Sequence, residues 1–348
     1  MATSPLVLRP ALPRLREVAG VLAAGLLAIV GAALLRRGLG GITLPAVTAA
    51  VLAVPAGRIA LSLAFTAGSY LVLVGVDAVA LACVGARVPW RVTARAAFTS
   101  SALGFNLGFA AFTGGAARMK LYGRAGVSKA GVARVIALSG LAFWSGTCII
   151  AGAGLAAQSH LAGAALVAAP LVAIAVALKA RIVRRSPHVI ALPLLGTADV
   201  GLSALALFLL MPGLTAEQLP QFCVIYALAI LAGLVSHVPG GLGVFEGVMA
   251  AGMHRFGPPA TIAGALLAYR AIYYLLPLAA VLLLNAVAGL RAGGARLRPV
   301  LAALRLVLYE VAPPLMGALA FAGGLVLLLS GAVPAAHGRM HVLVRLLP

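Results

Sequence analysis

Ser236 to Glu246 reads SHVPGGLGVFE, which sets a proline, three glycines, a histidine and a carboxylate inside an apolar stretch. Such residues are costly at membrane depth. Pro239 donates no backbone hydrogen bond, and Gly240, Gly241 and Gly243 favour irregular backbone, so a helix is expected to break here. Lipid does not tolerate exposed main chain; broken backbone survives in a bilayer only where protein covers it or it lines a wet cavity. The run therefore marks a candidate binding site inside a membrane protein.

The rest of the chain agrees with that class. Of 348 residues, 63% are hydrophobic and only 9% charged, and mean hydropathy is +1.14. At about 20 apolar residues per crossing, the chain holds roughly seven to nine transmembrane helices and leaves no room for a sizeable soluble domain. Lys and Arg number 26 against 6 Asp and Glu, a formal net charge of +20. In a soluble chain that would point to nucleic acid, but here the basic residues sit in short loops beside apolar spans. They are read as topology signals and attraction to anionic lipid, not as a nucleic-acid surface. Cys83, Cys148 and Cys223 lie singly in apolar segments and read as small core residues.

Long spans are expected near Val18 to Leu35, Ile59 to Val84, Val132 to Ala157, Leu161 to Leu178, Val189 to Met211, Pro259 to Ala288 and Val311 to Val333. The first is read as an uncleaved signal anchor. Pro45 to Gly57 is too short to span and suits an interfacial or buried helix. Two apolar regions, 98–116 and 220–256, carry Gly-Gly interruptions together with Asn106, His237 and Glu246, and both read as broken or re-entrant hairpins. With the basic loops around Lys179 to Arg185 and Arg291 to Arg305 in the cytoplasm, the N-terminus also falls inside. The two hairpins then enter from opposite faces, as inverted repeats would; Arg36 and Arg37 are discordant with this count.

Two blocks carry a family resemblance: NLGFAAFTGGAARMKLYGRAGVS, Asn106 to Ser128, and the SHVPGGLGVFE run. Supporting pieces are Ala142-Phe143-Trp144 with Gly146, Asp199, and AYRAIYYLLPL from Ala268 to Leu278. Together they resemble the N-terminal membrane domain of the lysylphosphatidylglycerol synthetase/flippase, or multiple peptide resistance factor, family. The resemblance implies a multi-pass protein of the bacterial inner membrane that flips an anionic or aminoacylated phospholipid, such as lysyl-phosphatidylglycerol, between leaflets and so supports antimicrobial peptide resistance. Residues 1–310 correspond to the flippase-like domain, and 311–348 look like the start of a further, truncated membrane segment. No part corresponds to the family's aminoacyl-transferring domain. The alternative is the membrane module of a phosphatidylglycerol lysyltransferase whose catalytic domain lies outside this chain.

The residues also argue for a site on their own chemistry. A helix restarting after Gly240, Gly241 and Gly243 would offer free N–H groups and a positive dipole end to a lipid phosphate; alternatively these glycines permit close helix crossing. Glu246, the only carboxylate between Glu217 and Glu310, needs a cation or a proton. Arg118, just beyond Gly114-Gly115, and Arg270 are candidate partners, and a cationic headgroup is another. His237 carries a coupling proton or bonds a freed carbonyl. Asp199 is either a polar contact in the pathway or a helix-to-helix hydrogen bond. Asp77 stands in an apolar span with no motif around it. Arg118, Lys120 and Arg124 read as a juxtamembrane cluster for anionic headgroups. The substrate-binding set is thus Asn106, Gly114, Gly115, Arg118, Asp199, His237, Gly240, Gly241, Gly243, Glu246 and Arg270. No HExxH, GxSxG or P-loop occurs, so no catalytic residue, metal or cofactor is expected. The expected partners are the phospholipid and the membrane, with homo-oligomerisation left open.

Overall fold

A computed structural model describes residues 44–107, 110–158, 162–170, 187–211, 213–236 and 238–291, and these are helical without a strand among them. The elements are α1 (Leu44–Leu52), α2 (Ala56–Val84), α3 (Trp90–Leu107), α4 (Ala110–Arg124), α5 (Lys129–Ala156), α6 (Ala191–Leu210), α7 (Leu219–Val235), α8 (Val244–Met253), α9 (Pro259–Tyr269) and α10 (Leu276–Arg291). A π-helical turn, Arg270–Leu275, joins α9 to α10 into one long rod.

Five helices among the described residues are long and apolar enough to cross a bilayer: Ala56–Val84, Lys129–Ala156, His188–Leu210, Ala216–Val235 and Pro259–Val287. The chain is an all-α, multi-pass membrane protein. The expected spans at Val18 to Leu35 and Val311 to Val333 lie outside the described residues, as does half of Leu161 to Leu178. Local signals set the ends. Gly85 closes α2 at φ 75° and returns its N–H to the Ala82 and Leu81 carbonyls, and the Ser128 hydroxyl caps α5 by accepting the Gly131 N–H at 3.1 Å. The short Pro45 segment is a helix, α1, that packs on α9 where Gly264 leaves room for Ala50.

The element order repeats: a long helix, a pair of shorter helices, and a long helix, first in α2 to α5 and again in α6 to α10. The leading helices α2 and α6 cross each other, and α5 lies against α6. At that second crossing a Cβ on Gly146 would collide with the Gly196 carbonyl, and one on Gly196 with the Ala142 carbonyl, so the backbones touch. Two apolar cores result. One joins α2, α4, α5 and the start of α6 around Tyr122, Val132 and Leu192; the other joins α6 to α9 and the π turn around Phe222, Tyr226 and Tyr269.

The two interrupted regions differ from each other. In the first, Gly114 and Gly115 do not break a helix; both lie inside α4, which runs unbroken from Ala110 to Arg124. They serve packing, since a Cβ on Gly114 would stand 2.8 Å from the Ser100 carbonyl of α3 and one on Gly115 3.3 Å from Ile136 of α5. The second region does break: Gly240, Gly241 and Gly243 hold φ of 60°, 61° and 79°, the left-handed conformation that glycine adopts without penalty. Its arms are unequal. With its leading turn, the first arm covers the 20 residues of Ala216–Val235, whereas α8 has only 10, about 15 Å of helix and half a hydrocarbon core.

Candidate functional site

Among the described residues, three carboxylates lie within α1 to α10, and each has its own environment. Asp77, on α2, is fully buried. Arg118 reaches it from α4 with a planar fork: Nε donates to Oδ2 at 2.9 Å and Nη2 to Oδ1 at 2.9 Å. Tyr122 donates to Oδ2 at 2.7 Å and Ser139 of α5 to Oδ1 at 3.0 Å. A buried carboxylate with this many donors is stable as an anion, and the bidentate geometry is the one that suits arginine and not lysine. The pair ties α2, α4 and α5 together.

Glu246, at the first turn of α8, is the second. Its Oε1 accepts Arg270 Nε at 2.5 Å, and its Oε2 accepts the backbone N–H of Gly243 at 2.8 Å. The carboxylate thus takes up one of the N–H groups that the helix restart would otherwise offer to a ligand. Arg270 also donates from Nη1 to the Gly240 carbonyl at 2.5 Å, and its guanidinium lies 4.3 Å from the centroid of the Tyr274 ring. Its Nη2 is buried with no hydrogen-bond partner. Of the two cations open to Glu246 from sequence, Arg270 is the partner; Arg118 belongs to Asp77.

The π turn makes this possible. A π turn widens the helix and loosens its carbonyl ladder, and side chains from other elements donate to the exposed oxygens: Asn106 Nδ2 donates to the Tyr274 carbonyl at 3.0 Å and the Tyr70 hydroxyl to that of Tyr273 at 3.3 Å. Asn106 thereby docks the end of α3 onto the rod. Next to it Gly240 approaches so closely that a Cβ there would stand 3.3 Å from the Phe105 carbonyl. The two interrupted regions meet at this point.

Asp199, at the middle of α6, is the third carboxylate. Its Oδ1 accepts the Ser69 hydroxyl at 2.5 Å, and Ser69 in turn shares a hydrogen bond with the Tyr273 hydroxyl at 2.9 Å. The two ion pairs among the described residues involve Asp77 and Glu246, so Asp199 has no cation of the described residues within 4.0 Å.

Asp199 and Arg118 both border a cavity of about 400 Å³. Its wall is mostly apolar, with polar groups at Ser100, Ser101, Arg118, Ser139, Asp199 and Ser203 and at three tyrosines. Trp144 of α5 and Leu234 of α7 also line it, and they are 47% and 39% exposed, so among the described residues the cavity reaches the outer surface between these helices. α5 and α7 touch at Gly154, where a Cβ would strike the Pro220 carbonyl, and Trp144 and Ile230, about three turns away, line the cavity between them.

Of the residues expected at a site, Arg118, Asp199, Gly240 and Gly241 border this cavity. Glu246, Arg270, Asn106 and Gly243 stand behind its wall and hold it in shape; Gly114 packs the α3–α4 hairpin and Gly115 packs α4 on α5. His237 lies outside the described residues. The basic surface cluster is smaller than its sequence implies, because Arg118 and Tyr122 turn inward and leave Lys120 and Arg124 exposed. Asp77 was the residue without a sequence signal: its partners lie 41 to 62 positions away.

A family model described as "lysylphosphatidylglycerol synthase TM region" matches residues 179–281, the segment that carries Asp199, the glycine break, Glu246 and Arg270. An uncharacterized protein of Synechocystis sp. is 30% identical over 247 residues, covering 64% of this chain and 76% of the relative. The chain belongs to the lysylphosphatidylglycerol synthase transmembrane-region family. Membership associates it with lysylphosphatidylglycerol synthesis or translocation. In this family member the matched segment supplies one wall of the cavity, and α2 to α5 supply the other.

Proposed function

We propose that the chain translocates a phospholipid, of the phosphatidylglycerol or aminoacyl-phosphatidylglycerol class, between the leaflets of a bacterial inner membrane. The observation that carries this reading is the cavity's form. It has a polar interior at Arg118, Ser100 and Ser101, apolar walls, and an opening between α5 and α7 at the exposed apolar residues Trp144 and Leu234, which suit a lipid-facing side. A water-soluble substrate has no need of a side door into lipid, whereas an amphiphile needs both parts. The headgroup would enter beside Trp144 and Leu234 while the acyl chains stay in the bilayer.

Arg118 supports the assignment because its Nε–Nη2 edge is taken by Asp77. A guanidinium has five N–H groups, so donors remain for a phosphate oxygen at a site whose resting charge is already balanced. The Glu246–Arg270 pair acts at one remove: it pins the Gly240 carbonyl and with it the glycine break that closes one end of the cavity.

The alternative is a membrane module that delivers lipid to a catalytic domain outside this chain; the family's name favours keeping it. Proteoliposomes containing the chain alone separate the two. Labelled phosphatidylglycerol and lysyl-phosphatidylglycerol should become accessible to a membrane-impermeant quencher from both leaflets, and Glu246→Gln should slow this. Folded protein that leaves the inner leaflet protected would favour the module.

A further inference from the structure

Among the three carboxylates of the helical core, Asp199 is the exception. Asp77 and Glu246 each have an arginine, and Asp199 has hydroxyl groups only. It is 5% exposed, and it borders a cavity whose wall is chiefly apolar. An ionised carboxylate in such surroundings, without a counter-ion, is several kcal/mol out of balance, and the usual relief is to bind a proton.

Among the described residues no cation is paired with it; Arg118 borders the same cavity but is held by Asp77. α6 itself carries no other ionisable residue. α2 presents Ser69 and Tyr70, with Asp77 further along and already paired to Arg118. α7 presents Tyr226, and the α9–π rod presents Tyr269 and Tyr273, with Tyr226 and Tyr269 joined hydroxyl to hydroxyl at 2.7 Å. α5 has no ionisable side chain between Arg134 and Cys148. What Asp199 does have is a hydroxyl path, because Ser69 bonds both the carboxyl oxygen and the Tyr273 hydroxyl.

We propose that Asp199 is a proton carrier: it holds a proton in the state seen here and exchanges it with water reaching the cavity or through the Ser69–Tyr273 hydroxyls, so that lipid passage is coupled to a proton gradient. The proton is taken from water on one face and returned to water on the other, and nothing is oxidised or reduced. The coupling rests on the translocation reading above; the protonated state of Asp199 does not.

Two measurements separate these parts. Infrared difference spectra of the lipid-reconstituted protein at neutral pH should show a protonated-carboxyl band that is lost in Asp199→Asn and kept, shifted, in Asp199→Glu. A wild-type spectrum identical to that of Asp199→Asn in this region overturns the protonated state. In proteoliposomes with the membrane potential clamped, labelled phosphatidylglycerol should accumulate in one leaflet with the sign of the imposed pH gradient, tending to about tenfold per pH unit for one proton per lipid. Lipid that moves in the wild type without any such bias overturns the coupling and leaves translocation standing. Absence of lipid movement under every condition overturns translocation and coupling together, while the infrared band still decides the protonation.

Discussion

Asp77→Asn should be among the most destabilising single changes in this chain, and the structure gives the size of the effect. Asp77 has no exposed side-chain surface and Arg118 has 10%, so removing the anion leaves a guanidinium buried without a counter-charge, which costs about 3–5 kcal/mol. Arg118→Met, which leaves the carboxylate to Tyr122 and Ser139 alone, should cost a similar amount. Replacing both with apolar residues, Asp77→Leu with Arg118→Met, removes the charges together. What then remains is the Tyr122 hydroxyl without its acceptor, a loss of about 1–3 kcal/mol; Ser139 still has the Val135 carbonyl at 3.0 Å. The double variant should therefore fall far short of the sum of the singles, with a coupling energy of at least about 2 kcal/mol. Reversible unfolding in mixed micelles, monitored by helical circular dichroism, measures all four proteins. Singles that add to the double within about 0.5 kcal/mol would refute the account of a tightly coupled buried pair.

Two further substitutions test other parts of the frame. Arg270→Lys keeps the charge opposite Glu246 but lacks the fork that also holds the Gly240 carbonyl, so it should cost about 1.5–3 kcal/mol and increase the protease sensitivity of the Val238 to Gly243 segment; an unchanged protein would show that the carbonyl contact is unimportant. Gly196→Ala places a methyl group against the Ala142 carbonyl. It should separate α5 from α6 and lower stability by about 1–3 kcal/mol or more, whereas Gly123→Ala, where a Cβ meets nothing within 4 Å, should be nearly neutral.

The parts of this fold that could be read from sequence are those with a local cause. Hydropathy located α2, α5, α6 and the α9–α10 rod to within a few residues, because apolar length is what a bilayer selects. The second glycine run was legible for the same reason: Pro239 and three glycines oblige the backbone to leave the helix wherever they occur. Gly114-Gly115 was misleading because the same dipeptide also serves close packing, and only the position of the Ser100 carbonyl and Ile136 shows which role applies. The pairing of charges was legible only in part: Arg270 stood among the candidate partners of Glu246, but the partner of Asp77 had no signal. Asp77 and Arg118 are joined by the crossing of α2 with the α3–α4 hairpin, and no local pattern encodes that crossing. Nor did the π turn announce itself; Arg270 was visible as a cation in need of a partner, but nothing local marked the turn that carries it.

The cavity's side opening is the element on which the functional account depends, and closing it is the most direct test. In a variant whose native cysteines Cys83, Cys148 and Cys223 are replaced by alanine, Trp144→Cys and Leu234→Cys place thiols on the two helices that frame the opening. Movement of labelled phosphatidylglycerol in proteoliposomes would be measured before a reducible cross-linker is added, after it has reacted, and after reduction. The account predicts movement that stops on cross-linking and returns on reduction. Movement that continues unchanged across a completed cross-link would show that lipid does not pass between α5 and α7, and would contradict it.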